Sequence, residues 1–171
     1  GKRVSLDFMT QNLLSDDEDR KLRLFLSYSH KDERYKEDLD KHFSMLKKMG
    51  RIETWNDRKI LGGDNWNKEI EHNLNQADIV LLLISIDFFE SKYIQEQELR
   101  IVNERIKKGD NFKIIPIPIR ACDTEGFEFM KYQGAHWEKG GETKWIASAA
   151  DKDLANLEIV KEIKNVINQL K

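Results

Sequence analysis

A carboxylate set among apolar residues is the feature of this chain with the clearest chemical promise. Ile94, Leu99, Ile101, Val102 and Ile106 recur at helical spacing. At 100° per residue Glu98 falls about 40° from Ile94, inside the arc those side chains occupy. Burying a carboxylate is costly unless a partner or a cavity receives it. Two readings stand open: Arg105, about 20° from Ile94 on the same arc, neutralises Glu98 in a structural ion pair, or the carboxylate borders a ligand site. Other constellations are poor. Ser29, His30 and Asp32 lie too close in sequence to form a triad as they stand, and no glycine-rich phosphate loop follows a strand. Cys122 reads as an unpaired thiol, and His42, His72 and His136 have no nearby ligand partner, so no metal site is expected.

The elements around Glu98 alternate between strand and helix patterns. Leu22-Arg23-Leu24-Phe25-Leu26-Ser27-Tyr28 is short, β-prone and ends in polar residues, and Ser29-His30-Lys31-Asp32 has the form of a capping box. Tyr35, Leu39, Phe43 and Leu46 mark a helix that Gly50 stops before a second strand over residues 51–55. A polar, glycine-bearing loop over 56–64 precedes a helix marked by Trp66, Ile70 and Leu74. The unbroken apolar run Ile79-Val80-Leu81-Leu82-Leu83-Ile84 reads as a central parallel strand. Ser91 caps the helix that carries Glu98. Residues 112–119 form a fourth strand, which Pro116 and Pro118 place near the sheet's edge because they lack N–H groups. Residues 121–150 are irregular with one short strand, and Leu154, Leu157, Val160, Ile163 and Ile167 mark a closing helix.

This alternation predicts an α/β fold: a flavodoxin-like, doubly wound, five-stranded parallel sheet of order 2-1-3-4-5 with helices on both faces. In that order the ligand crevice lies beyond the carboxyl ends of strands 1 and 3. Residues 27–30 and 85–93 form its rim, with Glu98 one turn further on.

Composition bounds the rest. The 171 residues suit one domain over 21–171, and residues 1–20, with the acidic run Asp16-Asp17-Glu18-Asp19, read as a tether or linker. Lys and Arg number 29 against 31 Asp and Glu, a formal charge of −2, so nothing draws the chain to nucleic acid or anionic lipid. Every apolar run is too short for the roughly 30 Å of a bilayer. One cysteine and no apolar signal region point to a cytoplasmic protein. The start at Gly-Lys-Arg suggests a piece of a longer protein.

The motifs also carry a family resemblance. Phe25-Leu26-Ser27-Tyr28-Ser29-His30-Lys31-Asp32-Glu33 resembles the opening strand and loop of Toll/interleukin-1 receptor (TIR) domains. Trp55-Asn56-Asp57-Arg58 with Gly62-Gly63 is similar to the loop after their second strand. The stretch 85–89, then Ser91-Lys92-Tyr93 and Glu98-Leu99, resembles the third-strand exit and the helix that holds the catalytic glutamate of the NAD-cleaving members. The likeness covers roughly residues 21–170 and lies nearest the microbial type. Where many members place Trp or Cys four residues before the glutamate, this chain has Ile94, with Tyr93 one position earlier.

The resemblance implies cleavage of the nicotinamide–ribose bond of NAD as substrate, with no resident cofactor and with Glu98 as the catalytic residue. Tyr28, Ser29, Ser91, Tyr93 and Ile94 would then line the substrate site. It further implies that Asp57, Arg58, Lys59, Ile60, Leu61, Gly62 and Gly63 pack against a neighbouring copy, so that activity depends on a homo-oligomeric TIR–TIR assembly driven by a sensor region elsewhere in the protein. Arg58 and Lys59 read equally well as a solvated charge pair. An adaptor module acting only by TIR–TIR recruitment is the alternative, because fold alone does not separate the two. A phosphoacceptor receiver domain shares the topology but needs acidic residues at the first strand's end, where this chain has Ser27-Tyr28-Ser29.

Overall fold

Strand β1 (Leu22–Ser27) leads into a single 3-10 turn and helices α1 (Glu33–His42) and α2 (Ser44–Lys48), then β2 (Ile52–Trp55), α3 (Asp64–Gln76) and β3 (Ile79–Ile84). A short α4 (Ile86–Glu90), a π-turn over Ile94–Glu98 and α5 (Leu99–Lys108) follow, then β4 (Lys113–Pro118) and, last, α6 (Lys152–Leu170). The computed structural model describes residues 20–55, 64–132, 138–139 and 142–170. The expected tether, apart from Arg20, lies outside them.

The sheet is parallel with order β2-β1-β3-β4. Strand pleating sends alternate side chains to opposite faces, which builds two apolar layers. Leu22, Leu24, Leu26, Leu81 and Leu83 pack under α1, α2 and α6 through Leu39, Phe43, Leu46, Ile163 and Ile167. Phe25, Val80, Leu82 and Ile84 pack under α3 and residues 92–108 through Ile70, Leu74, Ile94 and Val102. All six residues of β3 are buried, the pattern of a central parallel strand.

The doubly wound class is as expected; the fifth strand is not in the sheet. Residues Glu138–Lys139 and Glu142–Thr143 pair instead as a separate antiparallel ribbon, β5 and β6. The edge of β4 supplies the reason. Lys113 and Ile119 donate to Asp78 and Ile84 on the β3 side, so the alternate residues Ile114, Pro116 and Pro118 turn outward. Two of those three outward positions are prolines and have no N–H to offer another strand. Among the described residues of the later chain, the Ala147 N–H meets the Ile119 carbonyl just past the end of β4 at 2.8 Å, within the turn Ile146–Ser148.

Smaller departures concern phase. The helix expected across residues 35–46 breaks at Phe43, whose ring is fully buried. Ile106 is 40% exposed, and so are Leu154 (51%) and Leu157 (39%) on α6, where Asn156, Ile159 and Val166 take the buried positions beside Val160, Ile163 and Ile167. Gly109 ends α5 with φ 74° and returns its N–H to the Arg105 and Ile106 carbonyls, as a left-handed glycine cap does.

Candidate functional site

Parallel strands deliver every exit to one edge of the sheet, and the order reverses between β1 and β3. Three exits meet there through a partly buried network. Asp32, fully enclosed, accepts from the Ser85 hydroxyl and, at 2.7 Å, from Nε of Arg120. The same Ser85 oxygen accepts the Phe88 N–H at 3.1 Å and so caps α4. A second nitrogen of Arg120 binds Asp87, which also faces Lys31 Nζ at 3.5 Å. The Arg120 hydrogen bond, opposed by partial desolvation and helped by Lys31, holds the Asp87 carboxyl below the usual carboxylate range. Its bond to Asp32 in turn raises the guanidinium above its ordinary value.

The sequence pattern missed this network. The pattern Ser29-His30-Lys31-Asp32 predicts a capping box, whereas Ser29 performs the cap, accepting from the Lys31 N–H at 3.3 Å, and Asp32 turns to Ser85 and Arg120. A signal was present: Asp32, Ser85, Asp87 and Arg120 each lie just beyond a strand end, and strand ends converge in a parallel sheet.

Glu98 is 1% exposed and occupies the last position of the π-turn, where the Leu99 N–H reaches back to the Ile94 carbonyl. Such turns add a residue to the helix and recur at functional sites. Arg105, the candidate partner for Glu98, points its Nη1 at the Leu74 and Ala77 carbonyls (3.0 and 2.8 Å) and its Nε at Asp110 (3.2 Å), and its guanidinium lies 4.0 Å from the Phe112 ring centroid. Ser91 accepts the Ile94 N–H at 3.3 Å and caps the turn. Ile94 is fully buried, and half-buried Tyr93 lines a cleft of about 280 Å³ between α3 and residues 92–108, with Asn67, Glu71, Gln97 and Arg100. Phe89 packs edge-on against Phe127 at 4.9 Å and braces α4 from below.

Ser91, Tyr93, Ile94 and Glu98 thus share one stretch on the α3 side of the sheet. Tyr28 does not join them: it is 2% exposed within the opposite layer, with Lys36 Nζ 5.3 Å from its ring centroid. At the exit of β1 the residue on the Glu98 side is its neighbour Ser27, two residues after Phe25. Residues 57–63, expected at an interface, lie outside the described residues. A larger hollow of about 660 Å³, between Pro118, residues 143–151 and α6, contains none of the candidate residues; its rim carries the 3.9 Å ion pair Lys144–Glu158. Burial pushes the Cys122 thiol up, away from reactive thiolate. Among the described residues there is no cluster of metal ligands and no helix long and apolar enough to cross a membrane.

An uncharacterised protein, y4lF, of Sinorhizobium fredii is 37% identical over 147 residues, covering 86% of this chain and 44% of its own, so the chain spans less than half the length of that relative. The crystal structure of the TIR domain of the Toll-related receptor TRR-2 from Hydra magnipapillata superposes with a TM-score of 0.43 at 20% identity, over 64% of this chain and 78% of that one. The model of the TIR domain family matches residues 24–153, from the middle of β1 into the start of α6. With that match covering well over half of the chain, the chain belongs to the TIR domain family.

Proposed function

We propose that this TIR domain is an NAD glycohydrolase, active when copies of it associate. The observation that carries the reading is Glu98: a carboxylate 1% exposed, held at the last position of a π-turn on the helix that follows β3. The chemistry asks for little more. The C1′–N bond of the ribose breaks with its electron pair passing to the pyridinium nitrogen, so nicotinamide leaves as a neutral base and needs no general acid. A single carboxylate then grips the ribose hydroxyls and stabilises the oxocarbenium-like transition state. Water bonds to C1′ and releases a proton, giving ADP-ribose; closure by an adenine nitrogen would give the cyclic product. Tyr93 and Ile94 would flank the base and Ser91 would fix the turn, while Ser29 would face the sugar or phosphates from the β1 exit, held in place by Tyr28.

A carboxylate this enclosed is withheld from substrate in the single chain, which agrees with a site that association opens and completes. The second reading, a recruiting module without turnover, draws support from Met45 and Met49, 61% and 64% exposed on one side of α2.

The experiment is NAD consumption by the domain fused to an obligate oligomer, with products identified by mass spectrometry. We expect nicotinamide release from the wild type and a loss on the order of 100-fold or more in Glu98→Gln with the thermal midpoint preserved. No turnover by the clustered wild type would leave the recruiting module as the better account.

A further inference from the structure

Ser27 ends β1, and its side chain is the polar member of an otherwise apolar row. Leu22, Leu24 and Leu26 enter the α1/α6 layer and Phe25 enters the other, so by the alternation of the strand Ser27 falls on the face of Phe25. Its register partner on β3 is Leu82, which belongs to that same layer, as do Ile70 and Leu74 of α3 and Ile94 at the head of the Glu98 turn. The hydroxyl therefore lies on the face of the sheet that α3 and the Glu98 turn cover.

It is also unpartnered. Ser27 is 1% exposed and its Oγ meets no hydrogen-bond partner among the described residues. The neighbouring serines at the strand exits are all engaged: Ser29 with the Lys31 N–H, Ser85 with Asp32 and Phe88, Ser91 with Ile94. Buried hydroxyls without partners are uncommon because the desolvation they suffer is not returned. The other such atom, Oδ1 of Asn156, belongs to an amide whose nitrogen already binds the Lys152 carbonyl, on α6 across the sheet.

We infer that Ser27 is a substrate-contacting residue, its hydroxyl being the hydrogen-bond partner of a sugar hydroxyl or similar polar group of the ligand that reaches Glu98. The inference rests on the NAD reading for the identity of that ligand. It gives a reason for an unsatisfied group where alanine would pack as well: the desolvation cost of the hydroxyl is recovered when ligand binds.

The sign of two measurements on Ser27→Ala tests this. Removing an orphaned hydroxyl leaves the ligand-free protein as stable or more stable, so its thermal midpoint should hold or rise. Losing the ligand contact should raise KM for NAD about tenfold in the clustered enzyme with a smaller effect on kcat. In a Glu98→Gln background the same change should reduce the thermal shift that NAD induces. A less stable ligand-free Ser27→Ala would mean that the hydroxyl has a partner within the protein, which overturns the inference. So would an unchanged KM in an active enzyme, an outcome that leaves hydrolysis standing. An NAD-induced shift that Ser27→Ala reduces, in a wild type without turnover, would uphold Ser27 and reject hydrolysis; neither shift nor turnover would reject both.

Discussion

Arg120 shows how one side chain can organise a site without entering it. It brings charge from the β4 exit to Asp32 after β1 and Asp87 after β3, and Ser85 passes the connection to the cap of α4. Asp87 makes the coupling measurable. Its folded-state carboxyl titrates below its unfolded value, so it contributes stability above the ordinary carboxylate range, and that contribution disappears as pH falls through the lowered folded value. In Arg120→Met we expect the Asp87 carboxyl, followed by carbon NMR, to titrate higher and its share of the acid-induced loss of stability to disappear, so that unfolding free energy falls less steeply with pH. The same variant strands Asp32 in the interior, at a cost of about 3 kcal/mol even though Arg120 itself is partly exposed. Urea unfolding should show most of that loss reversed in Asp32→Asn/Arg120→Met.

Two elements depart from ideal geometry at informative places. The π-turn inserts a residue ahead of Glu98, and deleting Gln97 should restore ordinary winding while rotating Tyr93 and Ile94 by about 100° relative to Glu98. We expect helical circular dichroism to persist, the midpoint to fall by roughly 5 °C and turnover to vanish; retained turnover would detach the turn from function. At the sheet edge, Pro116 is buried with its missing donor facing outward. Pro116→Val creates an outward N–H that meets no partner among the described residues, so stability should drop by about 1 kcal/mol and sedimentation should reveal added edge-to-edge association.

At the scale of the molecule, one sheet separates two apolar layers that depend on each other. Leu81 and Leu82 are adjacent in β3, fully buried and committed to opposite layers. Each Leu→Ala change should cost about 2–5 kcal/mol. If the layers form a single cooperative unit, fluorescence and circular dichroism should report one coincident unfolding transition in either variant. Separate transitions would show that the face carrying Glu98 can loosen alone, which is how association would most easily reach a carboxylate now enclosed.

The chain by itself determined whatever follows from local pattern: the apolar run of β3, the amphipathic arcs of α3 and α5, the serine caps at Ser29 and Ser91, the edge position of β4 from its prolines, and a carboxylate at Glu98 out of keeping with its neighbours. These are written in periods of two and 3.6 residues and in the covalent structure of proline. Only the tertiary structure decided what depends on register and on distant contact. The extra residue in the π-turn shifts helical phase without altering composition. The alternation of β1 puts Ser27 rather than Tyr28 on the Glu98 side. Asp32, Ser85, Asp87 and Arg120 become neighbours solely because parallel strands release the chain at one edge, across separations of up to 88 residues.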